Sequence, residues 1–310
     1  MTYLVGDIGG TNTRLALADH TGVRHDTQRH FDNAGFSRFE DVLDLYLPEL
    51  GTQSIAGVCL AIAGPVGATR ASLTNRDWVF ESAKLQCKLG TDRVLLVNDL
   101  SALSHALPSL EMTHLGGPGA AASATQSLVV GIGTGFNVSL SKRTADGKTI
   151  AFEAELGHAA LPITVWQALR DILGPQVADF TRVEDWLCGS GLERMYQGVS
   201  GNKLSSREIM TRFGAQSDPD AETSALLFAR VLGLLSRQLI YQYMPRAGLV
   251  FAGSVARSIL TQASFDTFLQ TYLTGAVRVA DLSEIPISLI EDDAAALQGC
   301  LQVLLDQHST

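Results

Sequence analysis

Residues 4–17 read LVGDIGGTNTRLAL, and most of the architecture follows from that stretch. Tyr3, Leu4 and Val5 form an apolar run of the kind that makes a buried strand. The run breaks at Gly6-Asp7 and gives way to the turn Gly9-Gly10-Thr11-Asn12. Beyond it, Leu15 and Leu17 alternate with Arg14 and Ala16, which is the period of a second strand. Two strands joined through a glycine turn make a hairpin whose tip can offer backbone N–H groups to an anion, and Thr11 and Asn12 add side-chain donors. An ordinary hairpin turn would use the same residue types, so one copy does not separate the two readings.

A second copy does. Residues 129–140 read VVGIGTGFNVSL: an apolar run, then Gly131 and Gly133-Thr134-Gly135, then Val138 and Leu140 in alternation. Two glycine–threonine hairpins, each opening a separate half of the chain, point to duplicated halves that share one nucleotide. Neither is a better-known phosphate loop. The GxGxxG fingerprint would need glycine at Phe136 and a helix directly after it. Gly147-Lys148-Thr149 imitates the end of a Walker loop, but Lys142 stands where its first glycine belongs, and Asp146-Gly147 reads better as a hairpin turn.

The 310 residues exceed a usual single core, so two domains are expected. With 46% hydrophobic and 18% charged residues the composition is that of a compact enzyme. A net charge of -9 argues against nucleic acid or an anionic membrane as the main partner. Phosphate binding stays open, because backbone amides and a bound metal can supply a local positive field. Cys59, Cys87, Cys188 and Cys300 are scattered without metal-ligand spacing, which suits reduced thiols in a cytoplasmic protein. The chain opens directly on a predicted strand, and neither a signal peptide nor a membrane span is expected.

Strands alternate with helices through the first hundred residues, as in an α/β domain with a mixed sheet. Strands are expected at 23–31, 55–63 and 94–97, with helices at 39–47, 80–89 and 100–106. Residues 116–122 read as a surface loop. The second half is mostly helical, at 165–173, 183–187, 192–199, 206–213 and 221–243. Gly189-Ser190-Gly191 is expected to separate two of these helices. A strand at 249–252 breaks at Gly253-Ser254 before a helix over 259–273, and a strand at 287–289 and a terminal helix close the chain.

GDIGGTNTRLAL (6–17), TNRDW (74–78), NDLSAL (98–103), GIGTG (131–135) and ELGH (155–158), in that order, resemble the bacterial glucokinase family of the hexokinase–actin–sugar kinase superfamily. The cysteine-rich zinc motif of the related ROK kinases is absent. The resemblance implies an actin-like ATPase (ribonuclease H-like) α/β fold in two domains about a cleft. A small domain would cover 1–98, joined by a helix at 294–310, and a large one 99–293. It also implies ATP with Mg2+ as cofactors, glucose phosphorylated at its 6-hydroxyl, and a homodimer. Another hexose (mannose, fructose or an amino sugar) and a non-catalytic sugar sensor are the rivals.

By the same resemblance Gly9, Gly10, Thr11 and Asn12 meet the nucleotide phosphates from one hairpin, and Gly133, Thr134 and Gly135 from the other. Gly253-Ser254 would lie near the adenosine. Asp7 would hold magnesium, although an Asx-turn role also fits it. The sugar would meet Asn98, Asp99, Glu155, His158 and Glu184, with Asp185 as the competitor for the last place. Carboxylates suit a hexose because each accepts from two neighbouring hydroxyls. Asp99 would be the general base, against the plainer reading that it caps the helix after it. Asn137 replaces a more usual glycine, and asparagine is the residue best suited to a positive φ there.

Overall fold

The computed structural model describes residues 1–51, 53–121, 123–274 and 281–307. The chain divides into two compact units, Met1–Leu110 with Arg143–Glu153 and Asp292–Thr310, and Glu111–Lys142 with Ala154–Glu291.

In the first unit β1 (Thr2–Ile8) and β2 (Asn12–Asp19) form the expected hairpin, with Leu4 opposite Leu17 and Asp7 opposite Arg14. β3 (Gly22–Asp32), β4 (Ile55–Ile62) and β7 (Val94–Asn98) complete a five-stranded sheet in the order β3-β2-β1-β4-β7. β1, β4 and β7 run parallel, while β2 and β3 are antiparallel to their neighbours. A small hairpin, β5 (Arg70–Ser72) and β6 (Val79–Glu81), lies outside this sheet.

The period-2 alternation sorts side chains between the two faces of the sheet. Leu4, Ile8, Leu15 and Leu17 join Leu60 and Ile62 in a core closed by Phe39 of α1 (Phe39–Tyr46) and by Trp78 and Phe80. Leu85 of α2 (Ser82–Leu89) belongs to the same core. Tyr3, Val5, Ala16, Cys59 and Ala61 face the other way, against the terminal helix. Each large aliphatic side chain buried like this contributes about 1.5–3 kcal/mol.

α3 (Asp99–Ala106) follows β7 directly, and the division of the chain falls after Leu110 rather than after Asn98. The reason is packing. A Cβ on Gly299 of the terminal helix would run into the carbonyl of Ala102, so the two helix backbones touch.

The second unit begins with β8 (Thr113–Gly116), a strand that the polar sequence there did not announce. Gly116 thus ends a strand rather than opening the expected loop, and Ala122 lies outside the described residues. β9 (Gln126–Ile132) and β10 (Phe136–Arg143) are the second glycine hairpin. β11 (Thr149–Glu153) belongs to the first unit, and the turn before it places Gly147 at φ +85°, the hairpin turn expected of Asp146-Gly147.

Among the described residues six helices follow: α4 (Ile163–Leu173), α5 (Gly189–Ser200), α6 (Ser206–Gly214), α7 (Pro219–Tyr243), α8 (Ser254–Leu260) and α9 (Ser264–Leu273). β12 (Gly248–Ala252) and β13 (Ile287–Leu289) are parallel to each other, and β12 also pairs in parallel with β9. β13 pairs antiparallel with β8, so the strands of this unit run β10-β9-β12-β13-β8. α7 is long and apolar enough to cross a membrane, but 67% of its most apolar window is buried within the protein, with Phe228, Leu232, Leu235 and Leu239 in the core. The chain closes on α10 (Ala295–Asp306), which returns to the first unit.

Three helix expectations change. Residues 183–187 form a turn, and Gly189-Ser190-Gly191 is the first turn of α5 rather than a separator. A side chain at Gly191 would collide with the Trp186 carbonyl, so glycine here permits close packing. The 259–273 segment is two helices, with the Ser264 hydroxyl donating to the Ile259 carbonyl at 2.6 Å across the break. Both bury residues in one core, which is why their spacing reads as one helix. α2 starts at Ser82, because residues 79–81 are strand.

Candidate active site

In the first unit the hairpin tip closes on itself, with the Gly9 N–H donating to the Asn12 carbonyl at 2.9 Å. Asn33 holds the loop from behind and is fully buried. Its amide donates to the Gly9 carbonyl at 2.8 Å, its backbone N–H donates to the Thr11 carbonyl at 2.8 Å, and its side-chain oxygen accepts from the Thr13 hydroxyl at 2.8 Å. Neither Gly9 nor Gly10 has a positive φ.

Asp7 sits at the root of this loop, 3.3 Å from Arg14, which also reaches Asp293 at 3.9 Å. Burial pushes its carboxyl above the usual carboxylate range, although the Arg14 guanidinium acts in the opposite direction.

Asn98 and Asp99 stand at the C-terminal end of β7, where open α/β sheets place their ligands. The cap of α3 is Asn98, whose side-chain oxygen accepts from the N–H groups of Leu100 at 3.0 Å and Ser101 at 3.3 Å. Asp99 is the first residue of the helix, and its Oδ1 accepts from the Leu100 N–H at 2.9 Å. A negative charge is favoured in that first turn by the helix dipole.

In the second unit the Gly133 N–H donates to the Gly135 carbonyl at 3.0 Å and so closes the other tip. The first N–H of α5, from Gly189, donates to the Gly133 carbonyl at 2.9 Å. Gly253 lies against the same hairpin: its φ is +97°, and a Cβ there would strike the Ile132 carbonyl, so the fold itself demands glycine. Gly133 is different. It has no positive φ, and a Cβ would meet nothing within 4 Å. A side chain would fit this backbone, so the fold itself does not require glycine at this position.

Glu155, His158 and Glu184 gather on the side of this hairpin. The Nδ1 of His158 is 3.4 Å from Glu184 Oε1, and a Cβ on Gly135 would stand 3.7 Å from Glu184 Oε2. Gly157 lets Glu184 approach: a Cβ there would lie 3.2 Å from the same oxygen. Asp185 is engaged by Arg182: its carboxylate accepts from the Arg182 N–H at 2.9 Å and pairs with the Arg182 guanidinium at 3.2 Å. Of the two competing carboxylates, Glu184 is the one beside His158.

Asn137 has no positive φ; it is a strand residue of β10 opposite Gly131. Its amide donates to Glu155 Oε2 at 3.2 Å, and its oxygen accepts from the N–H groups of Val138 at 2.9 Å and Leu156 at 3.0 Å. Asparagine is thus a bracket for Glu155 rather than a turn former.

The family model for glucokinase matches residues 4–308. The chain belongs to the glucokinase family. A glucokinase of Pseudomonas aeruginosa is 31% identical over 98% of this chain and 95% of its own. One from Xanthomonas euvesicatoria is 28% identical over the same shares. Among solved structures, a glucokinase from an Antarctic psychrotroph superposes with a TM-score of 0.82 at 23% identity, covering 98% of this chain and 99% of that one. A ROK family glucokinase from Streptomyces griseus, in complex with glucose and AMPPNP, gives 0.67 at 18% identity, covering 98% of this chain and 99% of its own. The fold is therefore the actin-like ATPase fold of these sugar kinases.

Three members of these arrangements escape a sequence reading. Asn33 looks like the end of a strand, and Arg14 and Arg182 look like solvated charges. Only their contacts give them positions: Asn33 behind the glycine loop, Arg14 on Asp7, and Arg182 at 3.4 Å from His158 Nδ1 and 3.9 Å from Glu184.

Proposed function

We propose that this chain transfers the terminal phosphoryl group of ATP to the 6-hydroxyl of glucose. The observation that carries the reading is the gathering of Glu155, His158 and Glu184 beside the Gly133–Gly135 tip, in a chain matched almost end to end by the glucokinase family. Acceptor-rich carboxylates beside a glycine turn suit a polyhydroxyl substrate next to a phosphate.

In this reading Gly9, Gly10, Thr11 and Asn12 hold the phosphates from the first unit, as do Gly133, Thr134 and Gly135 from the second. Gly253 and Ser254 flank the adenosine. Asn98, Asp99, Glu155, His158 and Glu184 orient the sugar. Asp99 takes the proton of the 6-hydroxyl as its oxygen attacks phosphorus. Phosphoryl transfer otherwise requires mainly alignment and charge neutralisation.

The donor set fits magnesium that arrives with the nucleotide. Among the described residues no group of three or more His, Cys, Asp or Glu side chains could hold a metal ion alone. Magnesium is commonly held by one or two carboxylates plus substrate phosphates, and Asp7 is the carboxylate at the loop root. When bound, the ion neutralises charge on the phosphates. A cytoplasmic homodimer completes the proposal, consistent with four unbridged cysteines.

The test is a panel of hexoses with ATP and magnesium, followed by ADP release, on the parent and on Asp99→Asn. General-base assistance is worth ~10²–10⁴-fold in rate. Since Asn98 caps α3, Asp99→Asn leaves the helix start intact, and kcat is expected to fall at least about a hundredfold with the circular dichroism unchanged. A folded variant that kept more than roughly a tenth of the parent kcat would remove Asp99 from the role of base.

A further inference from the structure

Arg182 stands beside His158 and Glu184 with no part in the chemistry described above. The turn that carries it is tied by main chain. The Leu161 N–H donates to the Thr181 carbonyl at 2.8 Å, the Val183 N–H to Ala159 at 3.0 Å and the Glu184 N–H to Gly157 at 3.0 Å. The Asp185 carboxylate adds a bond from the Arg182 backbone N–H at 2.9 Å. None of these bonds uses the Arg182 side chain, which is half-exposed, and a solvated ion pair with Asp185 adds little to stability.

The guanidinium is nevertheless aimed. Its Nη2 donates to Asp185 Oδ1 at 3.2 Å, and its Nη1 reaches His158 Nδ1 at 3.4 Å. Glu184 Oε1 is also 3.4 Å from that nitrogen, and 3.9 Å from Arg182 Nη1. Nδ1 cannot serve both neighbours. An ionised carboxylate only accepts and needs a proton on Nδ1; a guanidinium only donates and needs a bare Nδ1. Among the described residues, the contact at Nδ1 with hydrogen-bond geometry is the one from Arg182, whereas Glu184 stands there as a charge neighbour.

A ring nitrogen that accepts leaves the proton of the neutral imidazole on the other nitrogen. We propose that Arg182, anchored on Asp185, is a positioning residue that holds the His158 proton on Nε2. His158 then brings a donor to a group whose other members, Glu155 and Glu184, are acceptors. A sugar hydroxyl both donates and accepts, so a mixed set can pair it fully where acceptors alone cannot. Without Arg182, Nδ1–H turns to Glu184 and Nε2 becomes one more acceptor. The consequence for the sugar rests on the reading that His158 meets glucose; the tautomer does not.

The tautomer is read on the full chain without sugar or nucleotide, from long-range proton–nitrogen correlation spectra of histidine-labelled protein. The spectra are taken at about pH 8.5, roughly two units above the ordinary imidazole value of ~6.5, and His158 is assigned by the signals lost in His158→Gln. The parent is expected to carry the proton on Nε2. Arg182→Met, unbranched and without a donor, should move it to Nδ1. Steady-state rates then test the consequence. Arg182→Met should raise KM for glucose about tenfold or more, as a mispaired polar group in a site does, and leave kcat and KM for ATP within about twofold. A parent with its proton on Nδ1, or an Arg182→Met variant that keeps it on Nε2, would overturn the proposal. A moved proton with an unchanged KM for glucose would overturn the reading that His158 meets the sugar and leave the tautomer standing.

Discussion

At the scale of single residues, the site holds side chains in places that cost stability. Asp7 is the clearest case. Its folded pKa lies above the ordinary value of 3.8 because burial outweighs Arg14. As pH rises above 3.8 the unfolded chain loses a proton that the native state still holds, so stability falls through that window and stays lower at neutral pH. Asp7→Asn removes that penalty, and Arg14 keeps Asp293 as a partner at 3.9 Å. The variant is expected to match or exceed the parent's urea midpoint at neutral pH, and the difference should shrink toward pH 3.8. Its phosphoryl transfer should fall at least about tenfold, the effect of removing one charged group that acts in the transition state. A midpoint well below the parent's at neutral pH would show that the Asp7–Arg14 pair stabilises the fold instead.

At the scale of elements, glycine decides what can approach what. Gly299 lets α10 lie backbone to backbone on α3, and Gly191 seats α5 on the Trp186 turn. Overpacking a closely fitted core costs about 1–3 kcal/mol. Gly299→Ala should therefore lower the unfolding free energy by about that amount, read from urea denaturation, even though alanine is the better helix former by about 1 kcal/mol. An unchanged or raised midpoint would mean that the two helices separate freely. The Gly9–Asn12 and Gly133–Gly135 tips belong to another class, because none of their glycines has a positive φ and a Cβ at any of them would stand no nearer than 3.4 Å to another atom.

At the scale of the whole molecule, a ligand that binds only the native state raises stability by RT ln(1 + [L]/Kd), about 2.7 kcal/mol at a hundredfold excess. Glucose without nucleotide should therefore raise the thermal midpoint. N-acetylglucosamine at equal concentration should do so much less, since sites built to pair a hydroxyl discriminate strongly against analogues lacking it. A larger shift with N-acetylglucosamine would move the substrate assignment to an amino sugar.

Residue patterns along the chain were enough for both glycine hairpins and most of the strands, and the family resemblance for the candidates at Asn98-Asp99 and 155–158. Those features are local: a run of alternating or continuous apolar residues ended by glycine leaves few conformations, and the hairpin pairs residues close along the chain. The tertiary structure alone decided the rest. That Glu184 rather than Asp185 stands beside His158 depends on a turn held by Arg182, whose partners the sequence does not mark. That Asn137 braces Glu155 depends on a strand and a loop eighteen residues apart meeting at 3.2 Å. That α3 joins the first unit depends on Gly299, at the far end of the chain, and no local pattern around residue 99 carries that contact. Periodicity reports which face of an element is buried; it does not report which element buries it.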